Sequence, residues 1–153
     1  YFVIVGEGKN KKELISKANS LNNILFLPAI PKKQIQSLLS YFDICFIGWR
    51  NKNIYKYGVA ANKIFDYMYA EKPILQAIDS KFNIIDQAIC GICVESENPR
   101  KIADAIIELY TMPDEKRNKL GKNGKEYVLK YHTYDVLAKQ LKEVLDGLES
   151  STI

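Results

Sequence analysis

Residues 59–77 read Val-Ala-Ala-Asn-Lys-Ile-Phe-Asp-Tyr-Met-Tyr-Ala-Glu-Lys-Pro-Ile-Leu-Gln-Ala, a helical pattern running into a short apolar strand. Over 60–70, Ala61, Ile64, Phe65 and Met68 recur on one side of the predicted helix, while Asn62 and Asp66, four apart, share another. Such a helix docks on a sheet and still presents polar groups. The run Pro73–Ala77 that follows has the length and content of a buried strand.

The same alternation holds on either side. Upstream come an apolar strand over 1–5, the turn Gly6-Glu7-Gly8, a helix through Leu14 and Ala18, and a strand Ile24–Leu27. Pro31 opens a helix with Ile35, Leu38 and Leu39 on one face, and Asp43–Gly48 returns as a strand. Residues 49–58 are polar and aromatic without period, which predicts a loop. Downstream, a short helix over 82–89 leads to a strand Gly91–Val94. Three helices follow, marked by Ile102, Ala105, Ile106 and Leu109, by residues 114–130, and by Leu137, Leu141, Val144, Leu145 and Leu148, the last capped by Thr133 or Asp135. Short continuous apolar strands separated by helices predict an α/β fold, a doubly wound Rossmann-like parallel sheet with helices on both faces. The 153 residues, 47% hydrophobic, suffice for one domain with one core.

The net charge of +4 is modest and its lysines are dispersed, at Lys9 to Lys12, Lys32-Lys33, Lys116 to Lys130 and Lys139 to Lys142. Solvated helix faces account for such charge, so nucleic acid is not the expected partner, whereas a mild positive field suits phosphorylated ligands or an anionic membrane surface. No apolar run approaches the ~20 residues that span a bilayer, and residues 1–8 lack the pattern of a signal peptide, so a cytoplasmic location is expected. Tyr1 opens directly on a strand, as in a domain excised from a longer protein.

Cys90-Gly-Ile-Cys93 has redox or metal spacing, but a structural zinc needs four ligands. Only Cys45 and His132 remain to complete the set. Reduced core thiols are the expectation, with no metal and no cofactor.

Ligands bind parallel α/β sheets outside the carboxyl ends of the strands, which singles out the loops after Val5, Leu27, Gly48 and Ala77. Gly6 and Gly8 permit close backbone approach there, without the third glycine of a dinucleotide fingerprint. The helix after Tyr57-Gly58 offers free N–H groups and a positive dipole end, which suit a phosphate. Asp66, one turn in, is placed to accept from the two hydroxyls of a ribose. The bland alternative makes Asn62 a helix cap and Asp66 a solvated acid.

The stretch Ala60-Ala-Asn-Lys-Ile-Phe-Asp-Tyr-Met-Tyr-Ala-Glu-Lys-Pro-Ile-Leu75 resembles the donor-site motif of retaining family-4 glycosyltransferases, in particular a bacterial branch with Ser-Pro-Asn-Lys-Leu-Phe-Asp/Glu-Tyr-Met-Ala-x-x-Lys-Pro. In the same order, Val5-Gly6-Glu7-Gly8, Asn23–Pro28, Leu39–Ile44, Cys90–Val94, Leu120–Lys125 and His132-Thr133-Tyr134 resemble further family segments. The resemblance implies the carboxyl-terminal half of a GT-B architecture, which grips the nucleotide of an activated sugar. By it, Asp66 binds the ribose, the backbone at Ala29 and Ile30 meets the nucleobase, and Asn62, Lys63 and the helix start lie near the diphosphate or sugar. It also implies a nucleoside-diphosphate sugar as ligand, a UDP-linked sugar in the resembling branch. An amino-terminal acceptor domain is a further implied partner, with peripheral contact at the inner face of the membrane and a role in surface polysaccharide synthesis.

Two departures qualify it. Many members carry two glutamates separated by seven residues, where this chain has Gly58 and Asp66, so sugar recognition passes to Tyr55, Tyr57 or backbone groups. Pro28-Ala29 and Glu71 stand where glycines are usual, and a carboxylate at that helix end opposes the dipole. The cationic clamp of the family falls upstream of Tyr1, so this stretch alone is expected to bind donor without catalysing. Two other classes stay open: half of a non-hydrolysing UDP-sugar epimerase, and a non-catalytic α/β module that meets a protein through Trp49, Tyr55 and Tyr57.

Overall fold

Short strands alternate with helices in the order β1 (Phe2–Val5), α1 (Lys11–Lys17), β2 (Ile24–Leu27), α2 (Ile35–Leu39), β3 (Cys45–Gly48), α3 (Asn62–Tyr69), β4 (Ile74–Ala77), α4 (Ile84–Ala88), β5 (Gly91–Val94), α5 (Pro99–Thr111), α6 (Asp114–Tyr131) and α7 (Tyr134–Ser150). The structure is a computed structural model that describes residues 1–59, 61–80 and 82–150. Ala60, the expected first residue of the 60–70 helix, lies outside the described residues. Each strand falls where an apolar run predicts it, and Thr133 is the cap of α7, its Oγ1 accepting from the Val136 N–H at 3.3 Å. Two expectations shift. Helix α2 begins one turn late, behind a 3-10 turn at Lys32–Gln34, and the loop over 49–58 contains a second 3-10 turn at Asn53–Tyr57.

The strands pair in two parallel sheets, and the chain divides into two compact units, Tyr1–Leu38 and the remainder. In the first unit β1 and β2 lie in register from Phe2 opposite Ile24 to Val5 opposite Leu27. In the second, β4 runs between β3 and β5, with Ile74 opposite both Cys45 and Gly91.

A parallel sheet must be covered on both faces, and β4 is buried at every position. Alternation sends Ile74 to one face and Leu75 to the other. Ile74 joins Ile47, Ile64, Met68, Ile85, Ala88, Cys90 and Val128, which brings α3, α4 and α6 onto the first face; Leu75 packs with Ala105 and Leu109 of α5 on the second. Each such fully buried aliphatic side chain contributes roughly 1.5–3 kcal/mol. The expected stripe of α3 is confirmed, with Ile64 and Met68 buried and Ala61 and Phe65 packed on the same cluster. Cys45, Cys90 and Cys93 are free thiols, as expected, and burial raises all three pKa values, to about 12 for Cys45 and Cys90.

Helix α6 approaches α3 through glycines. A β-carbon on Gly124 would stand 3.1 Å from Cys90 Cβ and 3.4 Å from Met68 Cγ, while one on Gly121 would meet the Glu71 carbonyl oxygen at 2.0 Å. Glu71 has φ 55°, the left-handed conformation that ends many helices and favours glycine. Its carboxylate turns to Lys125 of α6 at 2.6 Å, and that hydrogen bond holds its pKa below the ordinary value. The unfavourable charge expected at the end of α3 is thereby offset.

Candidate functional site

In the first unit the sequence-predicted residues gather at the carboxyl ends of β1 and β2. The last ladder bond runs from the Gly6 N–H to the Leu27 carbonyl at 3.3 Å. Gly6 has φ 129°, a conformation open to glycine alone, and added β-carbons on Gly6 or Gly8 would meet no heavy atom within 4 Å. Crowding therefore does not explain Gly8. In the second turn Ala29 is exposed and Ile30 half-buried.

Lys11 holds this edge together. Its Nζ donates to the Gly6 carbonyl at 2.9 Å, the Leu27 carbonyl at 3.0 Å and Glu7 Oε1 at 2.8 Å. The Lys11 hydrogen bond is the main reason that the Glu7 carboxyl titrates below its ordinary range. Lys9 to Lys12 were expected as a solvated group. Lys11 departs from that, because its side chain is only 20% exposed and all three ammonium donors are used.

In the second unit α3 starts where the segment after β3 ends. Ala61 is its N-cap and makes no side-chain hydrogen bond, so Asn62 is the first helical residue and not the cap. In the first turn the Ile64 N–H donates to the Ala61 carbonyl at 2.9 Å, whereas the N–H groups of Asn62 and Lys63 have no intrahelical acceptor, and no acidic residue lies in that turn. Asn62 and Lys63 are exposed, and Asp66 is half-buried on the same side as Asn62. Among the described residues Lys63 forms no ion pair.

The aromatic residues of the loop divide. Trp49 stacks on Tyr55 with ring centroids 5.1 Å apart and packs against the core, while Tyr57 stays 85% exposed. Glu97, in a left-handed conformation after β5, accepts from the Asn51 N–H at 3.2 Å and ties this loop to the next. Tyr57 and Gly58 line a cleft of about 410 Å³ with Phe65, Phe82, Tyr127 and His132. His132 stacks on Phe65 and Tyr127 at 4.8 and 5.5 Å; its Nε2 is buried and, among the described residues, has no hydrogen-bond partner. Burial lowers its pKa.

Gly6, Gly8, Ala29 and Ile30 thus share one edge of the first unit, while Tyr57, Gly58, Asn62, Lys63 and Asp66 belong to the start of α3 in the second. Tyr57 and Gly58 line the cleft; Asn62, Lys63 and Asp66 do not. Sequence reasoning missed Lys11, Glu97 and His132. The four-residue spacing of Glu7 and Lys11 was a signal for the first, but the second depends on Asn51, 46 residues away, and the third on distant Phe65 as well as nearby Tyr127. Among the described residues no three His, Cys, Asp or Glu side chains converge as metal ligands, and no helix is long and apolar enough to cross a membrane.

Parallel sheets flanked by helices, with open turns at the carboxyl ends of the strands, make an α/β domain of the Rossmann-like type. The chain superposes on sucrose-phosphate synthase from Thermosynechococcus elongatus with a TM-score of 0.78, at 16% identity over 98% of this chain and 39% of that one. It superposes on Anabaena HepE, solved in complex with UDP-glucose, with a TM-score of 0.70, at 18% identity over 95% and 40%. For WaaG, a glycosyltransferase involved in lipopolysaccharide biosynthesis, the TM-score is 0.68, at 17% identity over 90% and 36%. The chain spans less than half the length of each. Residues 1–127 match the family glycosyl transferases group 1, and the chain belongs to that family. No curated protein matches it significantly in sequence.

Proposed function

We propose that the chain is the donor-binding half of a bacterial, retaining family-4 glycosyltransferase. In this reading it moves a hexosyl unit from a UDP-sugar to a glycan or lipid-linked acceptor during surface polysaccharide synthesis. The carrying observation is the α3 start, where the order Asn62-Lys63-Ile64-Phe65-Asp66, which resembles that of the bacterial branch, coincides with an uncapped helix N-terminus that follows a parallel strand. The family match and the likeness to a protein solved with UDP-glucose support it.

In this account the α3 N–H groups and dipole hold the diphosphate, aided by Asn62 and Lys63, and Asp66 accepts from the ribose hydroxyls. The turns at Gly6–Gly8 and Ala29-Ile30 meet the nucleoside through backbone groups. Tyr57, the exposed aromatic beside Gly58, takes the sugar-side role that a first glutamate plays elsewhere in the family. Fixed donors stabilise the departing nucleoside diphosphate as its charge develops.

The acceptor side belongs to a further domain, because the solved structures are more than twice the aligned length. The enzyme works in the cytoplasm at the inner membrane face, and the 153 residues alone bind donor without transferring it. Calorimetric titration with UDP, GDP and their sugar conjugates tests the assignment. Saturable binding of UDP-sugars is expected, and none with any nucleotide refutes it. For the longer enzyme, sugar release that requires an acceptor supports transfer, and interconversion of a sugar nucleotide without acceptor supports an epimerase.

A further inference from the structure

We infer that Lys11 is a positioning residue for the nucleoside, and not a phosphate ligand. The inference rests on the reading of the two turns of the first unit as nucleotide-binding. A lysine behind a glycine turn would ordinarily be assigned to phosphate. Here the ammonium has three protons and three acceptors, the carbonyls of Gly6 and Leu27 and the Glu7 carboxylate, each at 2.8 to 3.0 Å. Nothing remains to donate to a ligand.

The charge is spent as well. Lys11 and Glu7 form an ion pair at 2.8 Å, so together they present no net charge to a diphosphate. What the cluster controls is spacing. Lys11 binds one carbonyl from each strand end, and Leu27 uses its oxygen for both Lys11 and the Gly6 N–H. The backbone groups of Gly6 to Gly8 and of Ala29-Ile30 are therefore held at one separation before any ligand arrives. Such preorganisation raises affinity by removing the ordering that binding would otherwise require.

The test separates position from charge with the double variant Lys11→Met, Glu7→Gln, which leaves the net charge unchanged. Calorimetric titration of the whole chain with uridine, UMP and UDP is expected to show a loss of about tenfold that is equal for all three ligands. A loss that grows with the number of phosphates would make Lys11 a phosphate ligand and overturn the inference. So would affinities equal to those of the unaltered chain with only the melting temperature lowered. If the double variant does not fold, Lys11→Arg keeps the charge but replaces a three-pronged donor by a planar fork. An equal, smaller loss for uridine and UDP supports positioning, and unchanged binding contradicts it. An unaltered chain that binds none of the three ligands defeats the donor reading itself and the inference with it.

Discussion

The carbonyl oxygen of Glu71 occupies the place where a β-carbon on Gly121 would sit, 2.0 Å from the ideal position. Helix α6 can lie against the end of α3 only because residue 121 has no side chain. That oxygen is backbone and cannot swing aside, so Gly121→Ala must push α6 outward and loosen the cluster of Met68, Cys90 and Val128. Urea unfolding is expected to show a loss of about 3 kcal/mol, at the upper end of overpacking costs. A loss below about 1 kcal/mol would mean that the helices are not in the contact described.

Glu71 itself carries a compromise. Its left-handed backbone costs a residue with a β-carbon about 1 kcal/mol, and the half-exposed pair with Lys125 returns only part of that. Glu71→Gly is therefore expected to leave the melting temperature equal or higher, and Glu71→Ala, which keeps the strain and loses the pair, to lower it. The reverse order of the two variants would show that the ion pair dominates.

His132 makes the stability of the second unit depend on pH. Burial among Phe65 and Tyr127 sets its folded pKa below 6.5, so the unfolded chain takes up the proton first. The contribution is complete above 6.5 and is lost as the pH falls from there through the folded value. Denaturation midpoints measured between about pH 7.5 and 5.5 should decline for the unaltered chain. His132→Phe, which keeps the ring contacts and removes the buried nitrogen, should flatten that decline; an unchanged slope would assign it to other groups.

Asn123 closes the end of α4 by donating to the Ile89 carbonyl at 2.9 Å, where Ile89 has turned left-handed with φ 48°. Asn123→Ala is expected to cost about 1 kcal/mol and to speed amide exchange in the segment between α4 and β5. Unaltered exchange there would rule out this cap.

How much was legible in the sequence follows from where the deciding interactions lie. The strands and the buried stripe of α3 depend on local apolar pattern, and 74–77 and 91–94 read as strands because each is short and mainly apolar, with Gln76 the one polar side chain of 74–77. The seating of α6 on α3 depends on Gly121 meeting Glu71, fifty residues apart, and no local pattern encodes that. The same holds for Lys125 with Glu71 and Asn123 with Ile89. In the candidate site, Gly6, Gly8 and Asp66 were reachable from position after a strand or on a helix face. The neutralised state of Lys11 was not, since two of its three acceptors are backbone carbonyls, which any residue supplies. Trp49 and Tyr57 looked alike as loop aromatics, and only packing separates the one set against the core from the one left open.

The central claim, that the start of α3 holds the nucleotide of an activated sugar, is tested most directly by the affinity of the chain for UDP with and without Asp66→Ala. The account predicts saturable binding that weakens about tenfold or more in the variant, because a carboxylate accepting from ribose hydroxyls contributes charge-assisted hydrogen bonds. It also predicts that 2′,3′-dideoxy-UDP binds the two proteins alike. Equal affinity of both proteins for UDP would contradict the claim.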